Sequence, residues 1–190
     1  MRVFAGSVSP ATNDKTRADT LKLMYQAAKV RLGFLIMACA LAGIAVSPAG
    51  DGALSPWQVL VLGLAVLLSS SAAGAFNQLY ERDLDARMTR TKKRAFVTGE
   101  LKADNYWLTG LALVTLLALL AAAWVSNWLA AFYIVRGAFT YGVVYTVWLK
   151  RRTWMNIVIG GLAGSFAVMA GAAAVDAAMA PAPIILAVVL

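Results

Sequence analysis

Apolar and polar positions fall along this chain in long blocks rather than in alternation. Apolar runs with few or no charges begin near Leu32, Trp57, Tyr106, Trp128 and Asn156. Each comes close to the roughly 20 residues that carry a helix across a bilayer. The runs are continuous and rich in Ala and Leu, which argues against membrane strands, whose lipid-facing and inward residues alternate. The first run is short, and Lys29 and Arg31 at its start are expected to snorkel and lengthen its effective span. A sixth run, residues 184–190, follows Pro181 and Pro183. Its rise from Pro183 is only about 12 Å against a hydrocarbon layer of roughly 30 Å. The pattern predicts an all-α fold, a polytopic transmembrane helix bundle with five complete helices and the start of a sixth. It reads as the N-terminal part of a longer protein, inactive as a fragment.

Composition agrees with membrane insertion: 61% of the 190 residues are hydrophobic, with mean hydropathy +0.73. The net charge of +8 could suggest nucleic acid, but its distribution argues for topology instead. Of 17 Lys and Arg, six precede Leu32, seven lie between Arg82 and Lys102, and three are Lys150, Arg151 and Arg152. The connections at 47–56, 126–127 and 176–183 carry none. An excess of Lys and Arg marks cytoplasmic loops, so residues 1–31 read as a cytoplasmic tail and 32–190 as the membrane domain. No nucleic-acid partner is expected, and the bilayer itself is the predicted environment. The first thirty residues lack the apolar core of a signal peptide. The chain has no histidine, which removes histidine-based zinc sites and triads, and its one cysteine, Cys39, cannot form an intrachain disulfide.

One segment carries chemistry. Asn77, Glu81 and Asp85 recur every fourth residue at the end of the second run, so on a helix they drift only about 40° per step and form one oxygen-rich stripe. Acidic groups at a membrane boundary are costly without a cationic partner, and Mg²⁺ prefers oxygen ligands and is commonly shared with substrate phosphates. Asp83 is a weaker member of the set. The basic residues that follow, Arg87, Arg90, Lys92, Lys93 and Arg94, suit the remaining phosphate charge, with Arg favoured for bidentate contacts. Small residues from Ser69 to Ala75 would let helices approach closely and tuck Asn77 into the bundle. The charge pattern alone fits a solvated, salt-bridged loop equally well.

Several other residues have plainer readings. Arg136, inside the fourth run, is expected to pair with a carbonyl or snorkel outward. Gly160 and Gly164 read as a helix-packing pair, and Asn156 as a cap for the fifth helix. Trp57, Trp107, Trp128, Trp148 and Trp154 read as interfacial anchors.

The segment NQLYERDLDARMTRTKKRAFVTG, residues 77–99, resembles the first aspartate-rich motif of the UbiA-type intramembrane prenyltransferases. It is most similar to their protohaem IX farnesyltransferase (haem O synthase) branch, with its Asn-x-x-x-Glu-x-Asp-x-Asp and Met-x-Arg-Thr-x-x-Arg patterns. A second segment, Tyr145-Thr146 with Leu149-Lys150-Arg151-Arg152-Thr153 and Asn156 to Gly164, resembles the fourth and fifth helices of that family. The resemblance implies transfer of a farnesyl group from farnesyl diphosphate to a vinyl group of protohaem IX, giving haem O for terminal oxidases. It further implies a bacterial inner (cell) membrane protein with active-site loops in the cytoplasm. Asn77, Glu81 and Asp85, with Asp83 as the lesser candidate, would then hold Mg²⁺-diphosphate. Arg90 and Arg94, helped by Lys92 and Lys93, would grip diphosphate oxygens. Ala95 stands where the family usually has Pro, residues 166–169 replace a Pro-Pro stretch, and Ala172 stands where Trp is common. Val30 replaces a proline often found between the Lys and Arg that enter the first helix. The family's second aspartate-rich motif and nearby histidines would lie beyond Leu190. Two other readings remain: a UbiA-type enzyme with an aromatic quinone-precursor acceptor, or an inactive membrane scaffold.

Overall fold

In the computed structural model, residues 17–48, 53–150 and 152–190 are described; residues 1–16 of the expected tail, and Arg151, lie outside them. A polar-rich helix α1 (Arg17–Ala27) meets the first apolar helix α2 (Val30–Ala45) at a bend of 50°. Helix α3 (Pro56–Tyr80) follows, with two one-turn helices, α4 (Arg82–Asp85) and α5 (Ala95–Thr98), in the basic loop after it. Helix α6 (Asn105–Val125) and helix α7 (Trp128–Phe139) come next, and α7 runs on without a break into a π-helical segment, Thr140–Leu149. Helix α8 (Asn156–Ala174) and the short α9 (Pro181–Val189) complete the described structure. The five apolar runs are thus α2, α3, α6, α7 with its π-helical continuation, and α8, and α9 starts the sixth. Four helices are long and apolar enough to cross a membrane, or five if the bent α1–α2 pair is one span. The chain is an integral membrane protein.

Helix starts follow local chemistry. Pro56 occupies the first turn of α3, where its missing N–H costs nothing, and Ser55 and Gln58 form a reciprocal capping box there. At the same end of the bundle, Gln58 Nε2 donates to the Val125 carbonyl of α6 (2.7 Å) and Asn127 Nδ2 to the Ala173 carbonyl of α8 (2.7 Å). The Val125 carbonyl, at the last residue of its helix, is satisfied in this way.

Packing rests on small residues. Helix α2 lies against α8 and α3, α3 against α6, and α7 against α8. The buried centre is built largely of alanines, among them Ala40, Ala65, Ala122, Ala130 and Ala170. With lipid outside as apolar as the core, close backbone approach and dispersion replace the hydrophobic drive of a water-soluble bundle. At the α2–α8 crossing a Cβ on Gly43 would overlap the Val168 carbonyl, and one on Gly171 the Ala40 carbonyl. The large apolar residues of α6, such as Leu113, Leu116, Leu117 and Leu120, point outward, as lipid-facing side chains do.

Candidate diphosphate site

The site is assembled from both sides of the α3 end. Residues 71–75 of α3 are all buried, and the bare Cα of Gly74 admits the α1–α2 bend: a Cβ there would stand 3.1 Å from the Ala28 carbonyl oxygen. At that bend Lys29 adopts the left-handed conformation, φ 48°, uncommon for a residue other than glycine. Gln78 Nε2 donates to the carbonyls of Gln26 (3.0 Å) and Ala27 (3.1 Å), satisfying the last turn of α1. The turn sends the Lys29 side chain inward, where Nζ donates to Asn77 Oδ1 (2.5 Å) and Tyr141 Oη (3.2 Å). The expected snorkelling of Lys29 is therefore not what the structure has, because the bend aims it at polar partners in the bundle.

The opposite wall is the π-helical segment. Its i→i+5 pattern is visible at its end, where Lys150 N donates to the Tyr145 carbonyl (3.0 Å). In that register Thr146 and Lys150 reach the stripe, and Tyr141 meets Lys29. Asn77 Nδ2 donates to Glu81 Oε2 (3.0 Å) and to Thr146 Oγ1 (3.1 Å), and Lys150 Nζ pairs with Glu81 Oε2. π-Helical turns are frequent at functional sites.

The stripe survives a break in its helix. Helix α3 ends at Tyr80, Glu81 has φ −94°, and α4 resumes at Arg82. Asp85 N still donates to the Glu81 carbonyl (2.8 Å), so Asn77, Glu81 and Asp85 stay aligned, and all three are buried. Arg94 returns from the loop to Asp85 Oδ2 at 2.5 Å, and Thr91 Oγ1 donates to the Asp85 carbonyl (3.0 Å). The loop is held down by Phe96, packed edge-on against Trp107 with ring centroids 5.1 Å apart. Trp107 is thus packed against this small core. Asp83, Arg90, Lys92 and Lys93 are exposed; of the loop bases proposed as diphosphate ligands, only Arg94 is brought onto the stripe.

Three cations thus surround three buried oxygen-bearing side chains. One acceptor stays unused: Glu81 Oε1 is buried with no hydrogen-bond partner. A buried carboxylate oxygen left unmatched is costly, and a cation bound there would satisfy it. Among the described residues no three His, Cys, Asp or Glu side chains converge, so the donor set here is one amide and two carboxylates. Toward the membrane interior an apolar cavity adjoins the site, lined by Leu32, Ile36, Val66, Ser69, Ala163 and, at the site itself, Tyr141.

Sequence reasoning missed Lys29, Tyr141, Thr146 and Lys150 as site residues. Thr146 and Lys150 did lie in the second family-like segment, which was the available signal. Other expectations are corrected. Asn156 is the first residue of α8, with Met155 in the capping position, and makes no cap. Arg136 lies over the rings of Phe132 (5.5 Å) and Phe166 (5.0 Å), a cation–π arrangement in place of a carbonyl. A Cβ on Gly160 would meet the Tyr145 ring at 2.8 Å, but one on Gly164 would meet nothing, so only Gly160 is a packing glycine here.

Known proteins resemble this chain over most of its length. The model of the UbiA prenyltransferase family matches residues 36–190. Protoheme IX farnesyltransferase 2 of Paramagnetospirillum magneticum is 50% identical over 171 residues, covering 90% of this chain and 58% of its own length. Protoheme IX farnesyltransferase 1 of the same organism is 42% identical, covering 90% and 59%. Protoheme IX farnesyltransferase of Bartonella quintana is 39% identical over 146 residues, covering 77% and 46%. The chain thus spans about half to three-fifths of the length of these relatives. No solved structure matches it significantly. With the match running from the first apolar helix through the buried acidic stripe to residue 190, this chain belongs to the UbiA prenyltransferase family.

Proposed function

We propose that the protein carrying this chain transfers a farnesyl group from farnesyl diphosphate to protohaem IX, giving haem O. The observation that carries the reading is the buried Asn77–Glu81–Asp85 line, ringed by Lys29, Lys150 and Arg94, with an apolar cavity beside it at Tyr141. A substrate with a diphosphate head and a long apolar tail matches a charged site set against an apolar chamber. The relatives' names supply the acceptor.

Asn77 Oδ1, Glu81 Oε1 and the Asp85 carboxylate would hold Mg²⁺, and the unpartnered Glu81 oxygen supports that fit. Bound there, the metal supplies positive charge against the charge that develops on the leaving diphosphate. Lys29, Lys150 and Arg94 sit where diphosphate oxygens would arrive, and each would exchange its carboxylate or amide contact for a phosphate contact. Fixed cations aimed at the leaving group stabilise its departure. Loss of diphosphate leaves an allylic cation and requires no covalent nucleophile, so a chain without a Ser–His or Cys–His pair is chemically adequate. The apolar wall excludes water from that cation. Arg90, Lys92 and Lys93, exposed in the loop, would assist the diphosphate only weakly, and Asp83, also exposed, would be a lesser member of the acidic set. The N-terminus and the basic loop face the cytoplasm, in keeping with the Lys and Arg distribution, and the membrane is the bacterial inner membrane.

The test uses the full-length protein in detergent with protohaem, farnesyl diphosphate and Mg²⁺. Prenylated haem is the expected product. Modification of an aromatic quinone precursor, with haem untouched, would replace this reading by the aromatic-acceptor one, and no transfer to either acceptor would favour the scaffold.

A further inference from the structure

Thr146 is fully buried, lies on the π-helical segment, and meets the acidic stripe at Asn77. Its hydroxyl has one proton, and that proton is committed: Oγ1 donates to the carbonyl of Tyr141, five residues back, at 2.8 Å. In an α-helix a threonine hydroxyl reaches the carbonyl three or four residues back; the π register brings the fifth within reach. Toward Asn77, 3.1 Å away, the same oxygen can therefore only accept.

That direction decides which end of the Asn77 amide faces where. A side-chain amide has a donor end and an acceptor end of nearly the same shape, and a reversed amide would set two acceptors, Asn77 Oδ1 and Thr146 Oγ1, against each other. The second neighbour on that side, Glu81 Oε2, also accepts. Nδ2 is thus held toward Thr146 and Glu81, and Oδ1 toward the Lys29 ammonium, 2.5 Å away. Asn77 is 1% exposed, so water cannot compensate for a reversed amide.

We infer that Thr146 is the positioning residue of the site: through the chain from the Tyr141 carbonyl to the Thr146 hydroxyl to the Asn77 amide, it turns the amide oxygen toward the cation side. This rests on the diphosphate reading above. A cation, whether Lys29 or Mg²⁺, needs an oxygen from Asn77, and an N–H₂ turned that way would repel it. The role belongs to the hydroxyl alone, so serine can perform it and the isosteric valine cannot.

The experiment measures binding of farnesyl diphosphate with Mg²⁺, by calorimetry and without acceptor, to the full-length protein in detergent. Partners one step removed from a metal typically cost 10–100-fold in affinity when removed, so Thr146→Val should weaken binding by about tenfold or more. Thr146→Ser should restore binding to within about threefold, and on an Asn77→Ala background Thr146→Val should add no further loss. Melting temperature and elution volume, measured on each variant, exclude misfolding, and Thr146→Ser tests the hydroxyl even where valine does not fold. Wild-type-like binding by Thr146→Val overturns the inference. So does a Thr146→Ser variant that folds yet binds no better than Thr146→Val, or an undiminished Thr146→Val loss on the Asn77→Ala background. A wild-type protein that binds no Mg²⁺-farnesyl diphosphate would instead overturn the diphosphate reading, and the inference with it.

Discussion

Lys150 and Glu81, 69 residues apart in sequence, are ion-paired across the gap between the π-helical segment and the end of α3. Glu81 is 1% exposed and Lys150 about a third exposed at its side chain. The pair therefore joins a buried acid to a cation that still reaches water.

Removing the cation from such a pair leaves a buried charge with less compensation. Lys150→Met is expected to destabilise the full-length protein by about 1–3 kcal/mol, discounted for the exposure of the lysine. Thermal melting in detergent reads this as a lowered Tm. Glu81→Gln, which removes the charge but keeps the shape, should melt closer to wild type than Lys150→Met does. The reverse order would show that the pair does not govern stability.

Asp85 is buried and held by Arg94. Asp85→Ala should abolish turnover of the full-length protein without loss of membrane insertion, as followed by membrane fractionation and haem O formation. Activity like the wild type would remove Asp85 from the metal site.

Position separates the inward lysine from the loop lysines. Lys29 contacts Asn77 and Tyr141, whereas Lys92 and Lys93 are exposed. A hydrogen bond to a charged group contributes about 1.5–3 kcal/mol, more than tenfold in affinity. Lys29→Met should therefore weaken farnesyl diphosphate binding by at least about tenfold, and Lys92→Ala, on a screened surface, by no more than about twofold. Equal effects would return the diphosphate grip to the loop.

Gly43 and Gly171 lie where α2 and α8 bring backbone against backbone, and neither Val168 nor Ala40 can withdraw a carbonyl without moving a helix. Gly43→Ala or Gly171→Ala should lower stability by about 1–3 kcal/mol through overpacking. Gly164→Ala, where a Cβ meets nothing, serves as the control. A Gly43→Ala protein that melts with the control would mean that the crossing is looser than it stands here.

The linear chain already displays the stripe of Asn77, Glu81 and Asp85, because residues four apart share a helix face whatever the helix packs against. It does not display the break at Glu81, since α-helical periodicity carries no sign of a local backbone adjustment. Nor does it display the inward turn of Lys29. A lysine before an apolar run ordinarily reaches for water, whereas Gly74 and Gln78, 45 and 49 residues further along, help hold the bend that turns it inward. The exposed Arg90, Lys92 and Lys93 looked equivalent to Arg94 by charge, but only Arg94 returns to the stripe, beside the Phe96–Trp107 contact.

What the sequence determined by itself is what depends on local composition and period: the apolar spans, the clustering of basic residues in alternate connections, and three oxygen-bearing side chains on one helix face. What the tertiary structure decided is their counter-charges and their orientation. Lys29 arrives through a left-handed turn, Lys150 and Thr146 through a π-helical register, and Arg94 through a loop pinned by an aromatic pair. These groups stand near the stripe only once helices pack, because ion pairs and hydrogen bonds depend on distances that chain order does not set.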